Sequence, residues 1–120
     1  MDIDTIPSDW LRGVLGLAVM RIVADGPTYG YAISVALADH GFGTIKGGTL
    51  YPLLGRFEEA GHVETYWQQG ESGPGRKYYR ITSLGLSALE ADGARWAAFA
   101  NHVAEFVTHT PATSKGRTPS

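Results

Sequence analysis

The chain has 120 residues, 43% hydrophobic and 18% charged, which is the size and balance of one folded domain. It has no cysteine, which excludes disulfides, a thiolate zinc site and a cysteine nucleophile. Its apolar runs are too short for a membrane span and its start, MDIDTIPSDW, is acidic rather than signal-like, so a soluble cytoplasmic protein is expected.

The net charge of −2 does not advertise a nucleic-acid partner, but its distribution is uneven. Residues 1–42 carry two arginines against five aspartates, and residues 83–120 balance three against three. Residues 43–82 hold Lys46, Arg56, Arg76, Lys77 and Arg80 against four glutamates, and are the only third with a positive bias.

Residues 1–7 read as an N-terminal arm. From Ser8, a plausible N-cap, to about Asp25 the pattern is helical, with Leu11, Leu15, Ala18 and Ile22 on one face. A second flank, Val14, Leu17, Met20 and Ala24, is also apolar and has Trp10 at its head. Two apolar faces suit a helix that is central in its domain or shared with a second subunit. DGPTYGY breaks this helix, and another is predicted from about Tyr29 to His40, burying Ile33, Ala36 and Leu37 and closing at Gly41.

GFGTIKGG is a loop, and GGTLYPLLGRFEEAG opens the third helix. With Thr49 as N-cap, Pro52 falls at the third helical position, where a missing N–H sacrifices no bond. The helix then runs from about Leu50 to Ala60. It buries Leu50, Leu53, Leu54 and Phe57 and turns Thr49, Tyr51 and Arg56 outward.

Val63–Gln69 and Arg76–Thr82 are rich in β-branched and aromatic residues and flank GESGPG, which predicts a β-hairpin. Tyr78 and Tyr79 alternate across the returning strand, so one packs inward. After Thr82 or Ser83 a long helix runs to about Val107. Leu89, Trp96 and Val103 recur at seven-residue spacing, as do Phe99 and Phe106, a coiled-coil-like seam flawed by Gly93. The polar, Pro- and Ser-rich tail at 108–120 reads as disordered.

Three helices followed by a hairpin make a mainly α fold with a small β-hairpin. The expected organisation is a winged helix-turn-helix over residues 8–82, then a C-terminal dimerisation helix over 83–107. In that layout the third helix enters a DNA major groove and the hairpin tip reaches the neighbouring backbone.

GPTYGYAI, GFGTIKGGTLYPLLGRFEEAGHVE and GPGRKYYRITSLGLSAL together resemble the signature blocks of the PadR family of bacterial transcriptional regulators. They occur in the family's order and cover about Leu11 to Leu89. Ala32 departs from the acidic residue that often follows YGY, and Phe57 from the common leucine. The resemblance implies a repressor that binds double-stranded DNA, dimerises through its C-terminal helix and responds to a small molecule.

From the residues alone, Lys46, Thr49, Tyr51 and Arg56 could be a solvated helix end; with the resemblance they become DNA contacts. Tyr29 and the hairpin cations Arg76 and Lys77 join them, while Glu71 at the hairpin tip opposes phosphate attraction. Dimer contacts are expected from Trp10, Leu17, Leu89, Trp96, Phe99, Val103 and Phe106. Trp96 reads first as a seam residue; the sharper reading has it stack a flat aromatic effector, with Phe99 and Trp10 as neighbours.

Catalysis is not expected: the four histidines are scattered, and no HExxH, GxSxG or P-loop pattern occurs. His102 and Glu105 share a helix face but lack a third ligand, so no metal or cofactor is expected. The competing class is a winged-helix protein-interaction module without DNA binding, which the acidic net charge favours. Salt dependence separates the two, because only phosphate contacts release counterions.

Overall fold

The computed structural model describes residues 6–70 and 73–109. Pro7 starts the first helix, α1 (Ser8–Val23): its carbonyl accepts the N–H groups of Trp10 and Leu11 at 3.0 and 3.1 Å. The cap is therefore a backbone group and not the Ser8 side chain. α1 buries Leu15, Val19, Met20 and Val23. The expected stripe through Leu11, Ala18 and Ile22 only flanks the core, and Val19 and Val23, absent from both predicted flanks, are fully buried. Apolar residues surround this helix so broadly that periodicity does not single out its deepest line.

After the turn at Gly26, β1 (Thr28–Tyr29) leads directly into α2 (Gly30–Asp39), which buries Ile33 and Leu37. α3 (Gly47–Glu59) follows the loop and buries Leu50 and Leu54. With Val63 and Tyr79 these side chains form one core, with Leu53, Phe57, Ile81 and Leu89 packed around it. Each fully buried large aliphatic contributes about 1.5–3 kcal/mol.

α3 begins a turn earlier than the sequence pattern suggests. Lys46 is its N-cap, and the Lys46 carbonyl accepts the N–H groups of Thr49 and Leu50 at 2.9 and 3.0 Å. Thr49 is thus inside the helix and makes no side-chain cap, which corrects the capping role expected of it. Gly47 and Gly48 take up the helix even though glycine disfavours it. Pro52 becomes the sixth helical residue, so the Gly48 carbonyl loses its i→i+4 partner. Both residues are exposed, and water can satisfy that carbonyl.

The sheet has three strands, one more than the predicted hairpin. β2 (Val63–Gln68) and β3 (Arg76–Ile81) pair antiparallel from Val63↔Ile81 to Gln68↔Arg76, and β1 pairs with the far edge of β3 through Thr28↔Tyr79 and Tyr29↔Tyr78. Strand parity sends Val63 and Tyr79 into the core and leaves Tyr78 on the opposite face. Gln69 Nε2 donates to the Gly73 carbonyl at 3.1 Å in the connecting loop. The expectation for Glu71 lies outside the described residues.

α4 (Ser83–Thr108) is anchored by Thr82, whose hydroxyl accepts the Gly85 N–H at 3.0 Å and donates to the Gly61 carbonyl at 2.7 Å. The chain divides at Glu90 into two units: the winged-helix body up to that residue, and the remainder of α4 with the tail. Within the second unit Trp96, Phe99, Phe106 and Val107 are exposed. The N-terminal arm up to residue 5 and the tail from residue 110 lie outside the described residues.

Gly85 has no space for a side chain: a Cβ there would overlap the His62 carbonyl and sit 2.8 Å from Ile81 Cγ1. Gly85→Ala should cost about 1–3 kcal/mol in thermal or urea unfolding. Gly13, with nothing within 4 Å of its would-be Cβ, should gain about 0.5–1 kcal/mol as alanine.

Candidate nucleic-acid interface

Helix α3 presents Lys46 and Thr49 at its amino end and Arg56 two turns on, all exposed. Among the described residues neither Lys46 nor Arg56 forms an ion pair, so both charges are available to an incoming anion. Tyr51 is half exposed but does not simply project outward. Its ring lies over the start of α2, where a Cβ on Gly30 would overlap the Tyr51 hydroxyl. The glycine of the YGY triplet is the clearance that lets α3 and α2 meet.

The wing cations are held in two different ways. The Arg76 guanidinium sits 4.6 Å above the Tyr29 ring, and among the described residues it forms no ion pair. Lys77 Nζ lies 3.4 Å from Glu58 Oε1 on α3 and 5.7 Å from the Tyr79 ring centroid. The Tyr29 ring packs on Tyr78 at 5.3 Å, Tyr78 stacks on Tyr66 at 5.6 Å, and Arg80 covers Tyr66 at 4.9 Å while pairing with Glu64 at 2.9 Å. Tyr29 is therefore part of a ladder that fastens β1 to the wing, as well as a support for Arg76.

A cavity of about 600 Å³ opens between the start of α2, α3 and the wing. Tyr29, Tyr51, Arg76 and Lys77, expected from the sequence, all line it. So do three residues that sequence reasoning missed: Tyr31, Glu58 and Trp67. Tyr31 and Trp67 are 72% and 71% exposed, unusual for such large rings. Trp67 shares the parity of Val63 and stands opposite Lys77, a signal readable from strand alternation. Glu58 carries no local signal, because its partner is 19 residues away.

The cavity's inner wall includes the buried Tyr79 phenol, whose pKa is raised above the ordinary phenol value by burial first and then by Tyr51 and Glu58. The residues expected at a dimer contact fall into separate groups. Trp10 is 73% exposed, Leu17 is half buried, and Leu89 packs against the body's own core, so Leu89 offers little to a partner. Trp96, Phe99, Val103 and Phe106 are exposed on α4. Among the described residues no group of three or more metal-ligating side chains occurs, and no helix is long and apolar enough to cross a membrane.

A three-helix body, a wing, and unpaired cations on the third helix, Lys46 at its start and Arg56 in its last turn, define a winged helix-turn-helix protein of the DNA-binding kind. The family model of the Transcriptional regulator PadR-like family matches residues 19–91, and the chain belongs to that family. It is a family of transcriptional regulators, not of enzymes.

A crystal structure of a PadR family transcriptional regulator from Eggerthella lenta DSM 2243 superposes with a TM-score of 0.76 at 38% identity, over 82% of this chain and 86% of that one. An uncharacterised protein of Lysinibacillus sphaericus is 36% identical over 94 residues, 77% of this chain and 86% of its own. Transcriptional regulator Rv3488 of Mycobacterium tuberculosis is 30% identical over 102 residues, 85% of this chain and 94% of its own.

Because the Tyr79 pKa is raised in the folded state, the unfolded chain releases this proton first. The stability it contributes is present below about pH 10 and is lost as pH rises through the folded value. Tyr79→Phe should remove that part of the alkaline loss in unfolding curves taken between pH 9 and 11, while leaving the neutral-pH fold intact. An unchanged alkaline slope would count against it.

Proposed function

We propose that this DNA-binding regulator is a cytoplasmic homodimeric repressor acting on a palindromic operator. The observation that carries the reading is the pair of unpaired cations, Lys46 and Arg56, on the exposed side of α3, with Arg76 on the adjoining wing. α3 enters the major groove with Lys46, Thr49 and Arg56. Tyr29, Tyr51, Arg76 and Lys77 contact the phosphates beside it. Two copies read half-sites about one helical turn, roughly 34 Å, apart.

Pairing uses the apolar side of α4. Trp96, Phe99, Val103 and Phe106 leave four large apolar side chains exposed at helical spacing on α4, which supports a second copy as their cover. Trp10 and Leu17 add contacts from α1. In this reading a small hydrophobic or aromatic effector stacks on Trp96 and Phe99 of the paired helices, with Trp10 of the pair as a further aromatic wall. It acts only through its differing affinity for dimers of different reader spacing.

The competing reading, a protein-interaction module, draws on the net charge of −2. Salt decides between the two. Affinity for a duplex from the protein's own upstream region, measured by anisotropy, should fall steeply with salt. Arg56→Ala and Arg76→Ala should each flatten the log–log slope by about 0.9 and weaken binding. Slopes equal to that of the parent would remove both residues from the interface, and salt-indifferent binding would favour the protein-interaction reading.

Phe99→Asp with Phe106→Asp should convert a sedimenting dimer to a monomer and abolish operator binding, with any loss of helix content limited to the part of α4 beyond Glu90. In the same samples, flat aromatics should quench tryptophan emission of the parent and not of the variant. A parent that sediments as a monomer at micromolar concentration would overturn the dimer.

A further inference from the structure

The contact between Glu58 and Lys77 lies inside the proposed interface yet works against it. Glu58 is the one carboxylate among the described residues lining the cavity that Arg76 and Lys77 also line. Its two oxygens are separately engaged: Oε1 faces Lys77 Nζ at 3.4 Å, and Oε2 accepts the Thr65 hydroxyl at 3.0 Å. Thr65 thus aims the carboxylate from β2, so that a residue of α3 neutralises a cation of β3.

We propose that Glu58 is a specificity-determining residue, an internal anion that occupies Lys77 until a correctly seated DNA phosphate displaces it. The proposal rests on the DNA-binding reading above. Three features favour exchange over a permanent brace. The ion pair is long for a charge-assisted bond, and its side chains remain 38% and 41% exposed, so water weakens it. The ammonium has three donors and can meet a phosphate before releasing the carboxylate. The site opens into a cavity large enough for a backbone phosphate and its sugar; Arg76 also lines that cavity, although its side chain stacks on Tyr29 on the face of β3 opposite Lys77.

The consequence concerns binding to the wrong sequence. A loosely docked duplex does not bring a phosphate close enough to break the pair, so Lys77 contributes nothing and the Glu58 charge repels the backbone. A seated complex places the phosphate and recovers the lysine. Glu58 therefore lowers the affinity for unspecific polyanion more than for a fitted site.

The wing supplies its own control. Arg80 Nε pairs with Glu64 Oε2 at 2.9 Å, on the face opposite Lys77 and outside the cavity lining. Glu58→Gln keeps an acceptor for Thr65 and removes the charge; Glu64→Gln removes an equal charge elsewhere on the wing. On a random-sequence duplex, Glu58→Gln should bind about two- to fivefold tighter. Its log–log salt slope should steepen by about 0.9, one additional phosphate contact. Glu64→Gln should leave the slope unchanged, and adding Lys77→Gln to Glu58→Gln should restore the parental slope.

Elution from heparin, a polyanion that asks for no duplex geometry, provides a readout independent of DNA recognition. Glu58→Gln should elute at higher salt than Glu64→Gln. Equal elution of the two variants, an unchanged duplex slope, or weaker binding by Glu58→Gln together with lower thermal stability would each overturn the proposal in favour of a structural brace. A parent protein that binds no duplex at any salt would overturn the DNA-binding reading, while the heparin comparison would still decide the role of Glu58.

Discussion

Strand β3 is paired on both edges, and most of the geometry at the candidate interface depends on that. One edge holds β2; the other holds only Thr28 and Tyr29, opposite Tyr79 and Tyr78. An isolated two-stranded hairpin is marginal in water. The two-residue strand gives the wing a third member, and α2 begins at the very next residue, Gly30. The wing and the helix-turn-helix are thereby joined through backbone hydrogen bonds as well as side chains. The Tyr29–Tyr78 and Tyr78–Tyr66 contacts add about 0.5–1.5 kcal/mol each beyond the area they bury. Arg76 rests on the first ring of that ladder, so its position relative to α3 follows from the sheet.

The electrostatics of this body are local. With a net charge of −2 the molecule has no broad positive field to attract DNA, and a Debye length of about 8 Å at physiological salt confines each cation to its immediate surroundings. What counts is which cations have carboxylates beside them. Arg12, Arg21, Lys77, Arg80 and Arg95 have, and Lys46, Arg56 and Arg76 do not, among the described residues. The three unpartnered ones lie on α3, at its start and on the wing, where a winged helix meets a duplex. A protein with weak general attraction for polyanions spends less time on wrong sequences, so the sparse charge and the Glu58–Lys77 pair act in the same direction.

The parts of this fold legible in the sequence are those with short-range causes. The Gly-Pro turn, the alternation of VETYWQ and RKYYRI around a Gly-rich loop, and a helix start at Thr82 or Ser83 each declare an element from a few neighbouring residues. The parts that were not legible depend on distant partners. Thr28 and Tyr29 become a strand because β3 offers them an edge, and nothing in two residues announces that. Thr49 as cap would place Pro52 where a missing N–H costs nothing, yet the Lys46 carbonyl begins the helix one turn earlier and makes Pro52 the sixth helical residue. In α1, apolar residues on two flanks hid the line through Val19 and Val23 that the core selects. The same division holds at the interface, where the cations could be listed from composition but the carboxylate that holds Lys77 could not.

Helix α4 shows how packing and assembly become one question. Up to Glu90 it belongs to the winged-helix body, where Gly85 and Leu89 fit against the core. Residues 91–108 form a unit of their own, and their large side chains, Trp96, Phe99 and Phe106 among them, are exposed. A helical stretch of that length is barely stable on propensity alone, and Gly93 subtracts about 1 kcal/mol from it. Its seven-residue spacing of aromatic and aliphatic groups suits a facing helix with the same repeat. In the homodimer proposed above, the second α4 is such a surface. Ordering this segment would then be inseparable from pairing, and the reader spacing would be set by the least self-sufficient part of the chain. In the effector reading proposed above, a ligand there acts only as far as its affinity differs between arrangements of the pair.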